Sequence, residues 1–204
     1  MLANNLLTKY PLISNQINKD QLRVILTELE ATLVKLDGAV VEFGCYVGTT
    51  SLFIRRLLNA LGDSREFHAY DSFEGLPPKT AHDESRAGDQ FQAGELAVSK
   101  KQLLQQFQKA NLSPPIVHKG WFNSLTSKDV PPQIAFAFLD GDFYESIRDS
   151  LKLVLPCMQQ GGIIIIDDYA REALPGAAKA VHELLSSAQQ SHLQVINNLA
   201  VIKL

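Results

Sequence analysis

The chain has 204 residues, 46% of them hydrophobic and 20% charged, which is the composition of an ordinary soluble globular protein. Its formal net charge of -3 provides no broad basic surface, so we expect no nucleic acid partner. No apolar run approaches the roughly 20 residues that cross a bilayer, and no signal peptide is visible, so we expect a cytoplasmic protein with no membrane partner. Cys45 and Cys157 are expected to be reduced thiols.

Residues 1–37 are predicted to form an arm and a helix ahead of the main domain. Residues 1–18 lack a clear periodicity and are expected to be an arm, a lid or a contact for another subunit. Asn18 and Gln21 resemble a capping box, and the apolar residues that follow them keep a helical spacing. We assign residues 38–204 to one main domain.

In the main domain, short apolar runs that are typical of buried strands alternate with segments of helical spacing. This alternation predicts an α/β fold, with a mainly parallel sheet and helices on both of its faces. Near the end, Asn197-Asn198 favours a type I′ turn, so we expect an antiparallel hairpin there. The expected strands are residues 39–43, 67–70, 116–118, 134–139, 163–166, 193–196 and 199–202, and helices are expected at 50–61, from 99, at 147–155 and from 175.

Residues 77–98 interrupt the alternation with a polar, irregular stretch. Loops of this length without regular structure are uncommon in compact domains, and many of them are active-site lids. We therefore expect a lid-like loop at residues 77–98.

A glycine-containing turn, residues 42–50, joins the first predicted strand of the main domain to a helix. Gly44 and Gly48 allow the backbone to approach a ligand closely, and the helix N-terminus with Thr49 can bind an anion such as a carboxylate. The turn is neither a P-loop nor a GxGxxG motif, and Glu42 would repel a diphosphate but attract an ammonium group. An amino-acid-bearing ligand therefore fits better than a dinucleotide; a plain strand-to-helix turn is the alternative.

Asp71 closes the second predicted strand, 23 residues beyond Gly48. An acidic residue near that spacing typically binds the two hydroxyls of a ribose. Taken alone, Asp71 fits a turn or a helix cap equally well, but the glycine loop ahead of it favours the ribose role.

Two acidic clusters follow buried apolar runs: Asp140 with Asp142, and Asp167 with Asp168. The carboxyl ends of parallel strands form the edge at which open α/β sheets bind ligands. Carboxylates gathered there repel one another unless a hard divalent cation neutralises them. The sequence therefore predicts a metal site, in preference to aspartates that merely cap the next helices.

Four segments resemble, in this order, the macrocin O-methyltransferase (TylF-like) family. They are Glu42-x-Gly44-x-x-x-Gly48, Asp71-Ser72-Phe73-Glu74-Gly75-Leu76-Pro77, Leu139-Asp140-Gly141-Asp142-x-Tyr144-Glu145-Ser146 and Gly161-Gly162-x4-Asp167-Asp168-Tyr169. The resemblance covers roughly residues 38–170 and implies a single Rossmann-like class I methyltransferase domain with a seven-stranded sheet. It also implies an enzyme that uses S-adenosylmethionine and Mg2+.

The same resemblance implies roles for individual residues. The metal ligands would be Asp140, Asp167 and Asp168. The cofactor-binding residues would be Glu42, Gly44, Tyr46, Gly48, Thr49, Asp71, Ser72, Gly120, Trp121 and Asp140. Because it would lie between the metal and the acceptor, Asp140 is also the expected catalytic proton acceptor, with His82 or His118 as the alternative base; the role of Asp142 is left open.

We therefore expect an Mg2+-dependent O-methyltransferase. Mg2+ can bind two neighbouring acceptor oxygens, lower the pKa of the attacking one and hold it in line with the methyl group. The expected acceptor is a small molecule with vicinal oxygens, either the sugar of a secondary metabolite or a catechol-like compound. Members of the family tend to assemble, so a homo-oligomer is an open expectation.

Two other functions remain as alternatives. A phosphohydrolase of the haloacid dehalogenase type also uses Asp-x-Asp and a later Asp-Asp pair to bind Mg2+. Only 24 residues separate the two clusters here, and that function would leave Glu42 and the glycine loop unexplained. The second alternative is a non-catalytic module that keeps the cofactor fold and binds a partner.

Overall fold

The computed structural model describes residues 2–204, which contain one seven-stranded sheet. The strands are β1 (Ala39–Phe43), β2 (Phe67–Asp71), β3 (Ile116–Lys119), β4 (Ile134–Leu139), β5 (Met158–Ile166), β6 (Leu193–Ile196) and β7 (Leu199–Lys203). Their order across the sheet is β3-β2-β1-β4-β5-β7-β6. Strands β1 to β5 are parallel, whereas β7 is antiparallel to both β5 and β6. The predicted mainly parallel sheet with a C-terminal antiparallel hairpin is thus confirmed.

The hairpin turn has the backbone that its sequence predicts. Asn197 and Asn198 have φ values of 52° and 68°, both in the left-handed region. A type I′ turn requires positive φ at its two central residues, and asparagine tolerates that conformation better than most residues.

The register of the central strands brings the predicted site residues to one edge. Phe43 of β1 pairs with Leu139 of β4, and Leu139 pairs with Ile166 of β5. The ladder continues one residue further, because the N–H of Asp140 donates to Phe43 O at 2.8 Å and that of Asp167 to Leu139 O at 2.9 Å. The residues that follow these three parallel strands therefore emerge side by side.

Helices cover both faces of the sheet, and β4 shows how one strand serves both. Phe136 and Phe138 belong to the core under the helices of residues 2–61, whereas Ala137 and Leu139 belong to the core under the helices of residues 144–184. Alternate side chains of a strand point to opposite faces, which accounts for this division. The helices are α1 (Leu2–Lys9), α2 (Lys19–Leu33), α3 (Thr49–Leu61), α4 (Lys100–Ala110), α5 (Tyr144–Val154), α6 (Pro175–Leu184) and α7 (Ser187–Gln190). Within residues 2–204, no helix has both the length and the apolar character that a bilayer crossing requires.

Helix α1 was not predicted. Its Ala3, Leu6 and Leu7 are buried in the same core as α2 and α3. A helix of two turns presents too few apolar positions for its periodicity to be recognised, and it depends on tertiary packing for stability. The predicted capping box of α2, formed by Asn18 and Gln21, is confirmed.

Strand β5 begins at Met158, earlier than predicted, so Gly161 and Gly162 lie inside it. The pairing with β4 shifts in register near its start, and Gly161 has a φ of 82°, which marks this part as irregular. Cys157 precedes the strand in a short 3-10 turn, and both it and Cys45 are free thiols.

The loop at residues 77–98 is irregular apart from a 3-10 turn at Ala81–Asp83. Leu76 and Leu96, at its two ends, pack with Phe143 and Leu174 in a small apolar cluster. This cluster holds the loop next to the start of α5, at the carboxyl edge of the sheet. A lid function for the loop remains a prediction.

Candidate active site

A cleft with about 930 Å³ of empty space, part of it open to solvent, lies at the carboxyl edge of the sheet. Turns that follow the parallel strands form most of its wall, together with residues of the loop and of the N-terminal segment. The predicted site residues that line it are Gly44, Tyr46, Asp71, Ser72, Trp121, Asp140, Asp167 and Asp168. The predicted site residues outside its lining are Glu42, Gly48, Thr49 and Gly120.

Three carboxyl groups in the cleft are close enough to share one cation. Asp140, Asp142 and Asp168 each offer an oxygen, and these atoms all lie within 4.8 Å of one another. Asp142, whose role the sequence left open, therefore belongs to this acidic cluster. Asp167, a predicted metal ligand, lines the same cleft but is not one of these three, and its Oδ1 accepts hydrogen bonds from Gln21 Nε2 and from the N–H of Asp168. Only Oδ2 of Asp167 is left for a ligand.

The protein environment disfavours negative charge on these groups. Burial raises the pKa of Asp140 and of Asp142 well above the ordinary range, and the neighbouring carboxylates raise both further. Burial, and then the charge of Asp168, raises the pKa of Asp167 to about 7. Burial also raises the pKa of Asp168, although Arg171 Nε lies 3.1 Å from its Oδ1.

Such a donor set fits a hard divalent cation. Buried carboxylates that repel one another ionise together only when a positive charge compensates them. Mg2+ prefers oxygen ligands, and carboxylates are its usual protein ligands. The guanidinium of Arg171 is about a third exposed, and among the four aspartates it forms an ion pair with Asp168 alone. Arg171 therefore compensates only part of the negative charge that the four ionised carboxylates would carry, and a bound cation could compensate the rest.

Two members of the acidic cluster have an unusual backbone. Asp142 and Asp168 have φ values of 58° and 56°, in the left-handed region. For a residue with a side chain this conformation costs on the order of 1 kcal/mol, and it persists only where the surrounding structure enforces it. Backbone strain of this kind is concentrated at functional sites.

The glycine loop packs directly on the turn that carries Asp140. Gly44 has a φ of 83°, and a Cβ atom there would lie 1.9 Å from the carbonyl oxygen of Asp140. Gly48 has a φ of 91° and precedes α3, where a Cβ atom would lie 2.5 Å from Leu103 Cδ1. No other residue type fits either position without movement, and the close approach at Gly44 joins the glycine loop to the acidic cluster.

Asp71 holds the glycine loop in place. Its Oδ2 accepts the N–H groups of Cys45 at 2.9 Å and Tyr46 at 3.1 Å, and its Oδ1 accepts the N–H of Phe73 at 2.7 Å. Cys45 Sγ also lies 3.5 Å from Oδ2, and since each carboxylate oxygen has about two acceptor sites, roughly one site is left for a ligand, on Oδ1. The bond to Phe73 is the turn role that the sequence left as the alternative, the bonds to the glycine loop were not predicted, and the ribose role of Asp71 remains a prediction.

Glu42, Thr49 and Gly120 do not line the cleft. The buried Glu42 carboxyl accepts a hydrogen bond from Ser51 Oγ, and burial raises its pKa to about 8 despite that bond. Thr49 Oγ1 lies 2.7 Å from Ser14 Oγ of the N-terminal segment, and the N–H of Gly120 donates to the carbonyl of strand β2. Their cofactor roles remain predictions.

Neither histidine that was considered as a base lines the cleft. The ring of His82 stacks on that of Tyr144, with centroids 4.0 Å apart. His118 is hydrogen-bonded to His68, with 3.0 Å between the ring nitrogens. Carboxyl groups, rather than a histidine, are therefore the candidate proton acceptors that line the cleft.

The structure adds cleft residues to which the sequence assigned no role. Gln16 comes from the N-terminal segment, and Glu145 and Asp149 come from the first turns of α5, one helical turn apart. The spacing of the last two, directly after Asp142, is a signal that sequence analysis could have used. For Gln16 the local sequence carries no such signal.

The chain and its fold match known proteins. A family model described as Macrocin-O-methyltransferase (TylF) matches residues 12–202. The 8-demethyl-8-(2,3-dimethoxy-alpha-L-rhamnosyl)-tetracenomycin-C 4'-O-methyltransferase of Streptomyces olivaceus is 37% identical over 154 residues, which are 72% of this chain and 57% of that protein. The demethyldecarbamoylnovobiocin O-methyltransferase of Streptomyces niveus is 32% identical over 141 residues, 65% of this chain and 53% of that protein.

Among solved structures, that of the O-methyltransferase NovP matches with a TM-score of 0.78 and 26% sequence identity, over 92% of this chain and 80% of NovP. The predicted class I methyltransferase fold is thereby confirmed. The chain spans a little more than half the length of the two curated relatives described above.

Proposed function

We propose, because this chain belongs to the macrocin-O-methyltransferase (TylF) family, that it transfers the methyl group of S-adenosylmethionine to a hydroxyl of a small molecule. The proposed acceptor carries vicinal oxygens, as the sugar of a secondary metabolite does, and the proposed metal is Mg2+. The name of the Streptomyces olivaceus relative, which includes a rhamnosyl compound, supports a sugar acceptor over a catechol.

The observation that carries this proposal is the contact between the glycine loop and the acidic cluster inside one cleft. Gly44 touches the backbone of Asp140, and Asp140 is within reach of Asp142 and Asp168. A donor bound against the loop would thus lie next to an acceptor bound against the carboxyl groups. Adjacent binding of this kind supplies much of the rate of a displacement reaction, since it aligns the reacting atoms in advance.

On the donor side, the chain offers a set of polar and flat surfaces. The backbone at Gly44 and Tyr46 is open to the methionine portion, and the free acceptor site of Asp71 would take a ribose hydroxyl. Trp121 lines the cleft next to these residues and would pack on the adenine. Glu42, behind the loop, keeps its proton near neutral pH in the free chain, and a bound ammonium or sulfonium group would lower its pKa so that it ionises and faces that cation as a carboxylate.

On the acceptor side, Asp140, Asp167 and Asp168 are the proposed metal ligands, and the distances make Asp142 a fourth candidate. When bound, Mg2+ would supply Lewis-acid chemistry, which lowers the pKa of an acceptor hydroxyl. Asp140 would accept the hydroxyl proton, with Asp142 as the alternative carboxyl. Glu145 and Asp149 of α5 also line the cleft and would bind further hydroxyls of the acceptor.

The test is a methyl-transfer assay with the purified chain and labelled S-adenosylmethionine. The acceptor panel pairs deoxysugar glycosides that keep a vicinal diol with analogues that lack one of the two hydroxyls, and it includes a catechol. We expect transfer to the diol glycosides, a loss of at least about tenfold on addition of a chelator, and recovery with excess Mg2+. Transfer that is indifferent to the chelator would contradict the metal role.

Two further outcomes would favour the other functions. Binding of S-adenosylmethionine in calorimetry without transfer to any acceptor would favour the non-catalytic module. Release of phosphate from a general phosphatase substrate, without binding of S-adenosylmethionine, would favour the phosphohydrolase.

A further inference from the structure

Gln21 reaches the acidic region of the cleft from the N-terminal segment rather than from a sheet turn. It lies in the first turn of α2, and its side chain is only 4% exposed. Its Nε2 lies 2.9 Å from Oδ1 of Asp167, a residue 146 positions later in the chain. The contact is buried, so solvent does not compete for either group.

The helix cap fixes which end of the Gln21 amide faces Asp167. The backbone N–H of Asn18 donates to Gln21 Oε1 at 3.1 Å. A backbone N–H can only donate, so the amide oxygen has to face Asn18 and the amide NH2 has to face the carboxyl group. Gln21 therefore donates to Asp167, and the capping box prevents the amide from turning round.

This bond decides which oxygen of Asp167 is available. Oδ1 accepts from Gln21 and also from the N–H of Asp168, at 2.8 Å. Two donors occupy the two lone pairs of one carboxylate oxygen. Oδ2 alone is left, and the two bonds also fix the rotation of the carboxyl group about its Cβ–Cγ bond.

We propose that Gln21 is a positioning residue for the metal site: it orients Asp167 so that this side chain binds the cation through Oδ2 alone. This inference rests on the proposed function, because it requires a cation in the acidic cluster. Hydrogen bonds that orient a metal-binding side chain are typically worth 10- to 100-fold in metal affinity. The N-terminal segment would thus be part of the metal site, although it contributes no ligand.

The test uses Mn2+ as a spectroscopic probe, because the signal of free Mn2+ in electron paramagnetic resonance disappears on binding. Gln21→Met keeps the length of the side chain and removes both hydrogen bonds of the amide. The matched control is Gln102→Met: Gln102 occupies the same position in the capping box of α4, where it accepts the N–H of Ser99 at 2.9 Å, and it is exposed and outside the cleft. We expect Mn2+ affinity to fall about 10- to 100-fold in Gln21→Met and to stay unchanged in Gln102→Met.

Calorimetric binding of S-adenosylmethionine shows whether each variant is folded, independently of the metal. If the wild-type chain binds Mn2+ and Gln21→Met binds it equally well, the positioning role is wrong while the proposed function stands. If Gln102→Met loses as much Mn2+ affinity as Gln21→Met, the effect comes from helix capping and the inference also fails. If the wild-type chain itself binds no Mn2+, the metal part of the proposed function fails, and the inference fails with it.

Discussion

Oδ1 of Asp83 accepts a hydrogen bond from the backbone N–H of Tyr144 at 2.7 Å, across 61 positions of sequence. Tyr144 is the first residue of α5, and the residue before it, Phe143, offers no side-chain cap. Oδ2 of Asp83 accepts both the N–H and the hydroxyl of Thr80. The loop at residues 77–98 is therefore fixed to a helix N-terminus, where a carboxylate also meets the positive end of the helix dipole.

Removing this carboxylate should loosen the loop. Asp83→Ala leaves the buried N–H of Tyr144 without a partner, and we expect the free energy of unfolding to fall by about 1–3 kcal/mol. We also expect faster hydrogen exchange in residues 77–98, measured by mass spectrometry.

Asp129→Ala is the matched control, because Asp129 binds the N–H and hydroxyl of Thr126 in the same pattern, at an exposed position. Equal exchange in the loop of the two variants would contradict the capping role of Asp83.

The close approach of Gly44 to Asp140 predicts an unequal cost for two glycine-to-alanine changes. Gly62, at the end of α3, also has a positive φ, of 66°, but a Cβ atom there would meet nothing within 4 Å. We expect Gly62→Ala to cost about 1 kcal/mol of unfolding free energy and Gly44→Ala several times more. Chemical denaturation of both variants measures the difference, and similar costs would mean that the loop can move away from β4.

Glu42 should make stability depend on pH. Its pKa rises from 4.5 to about 8 in the folded chain, so the folded state keeps a proton that the unfolded state releases between these values. The free energy of unfolding therefore falls as pH rises through this window. Glu42→Gln, which does not titrate, should gain stability relative to the wild type across the window, by at most about 4–5 kcal/mol.

Denaturation at several pH values measures this difference, and Glu84→Gln, the same change at an exposed position, supplies the reference slope. If the stability gain of Glu42→Gln over the wild type changes with pH no more than that of Glu84→Gln does, Glu42 ionises freely in the folded chain and its pKa is not raised. The same variant also tests the cofactor prediction, because a role beside the ammonium group requires weaker binding of S-adenosylmethionine in calorimetry.

Asp168 should separate metal dependence from cofactor binding. Asp168→Asn removes one charge from the cluster of three carboxyl groups and the partner of Arg171. We expect the Mg2+-stimulated methyl transfer to fall by about a hundredfold or more, since a ligand should matter at least as much as the groups that orient it. Affinity for S-adenosylmethionine should change little. Asp37→Asn, at an exposed position outside the cleft, is the control, and full chelator-resistant turnover in Asp168→Asn would refute a metal role for this residue.

The parallel sheet and the edge that carries the site were predictable because their signals are local. Four successive isoleucines before Asp167 indicate a buried strand, and the end of such a strand fixes where the next residues emerge. The register of β1, β4 and β5 then brings Asp140 and Asp167 side by side. The hairpin was predictable for the same reason, since Asn197 and Asn198 define the turn by themselves.

The contacts that complete the site were not predictable, because each joins segments far apart in the sequence. Gln21 has a local reason to be where it is, the capping box, and nothing in the sequence indicates its second bond to Asp167. Asp83 likewise belongs to a Thr-x-x-Asp turn and also caps a distant helix. Helix α5 starts at Tyr144, three residues before its predicted start, and its first N–H group bonds to that distant cap.

Strand β7 lies between β5 and β6 although it follows both of them along the chain. Ile163 to Ile166 of β5 obtain their antiparallel partners, residues 200–203, only from this strand. During synthesis on the ribosome, the edge of β5 that faces away from β4 therefore stays unpaired until β7 has emerged. A nascent chain, or one truncated before residue 199, should expose this unpaired apolar strand and be prone to aggregation. The yield of soluble truncated protein should therefore depend on chaperones and low temperature.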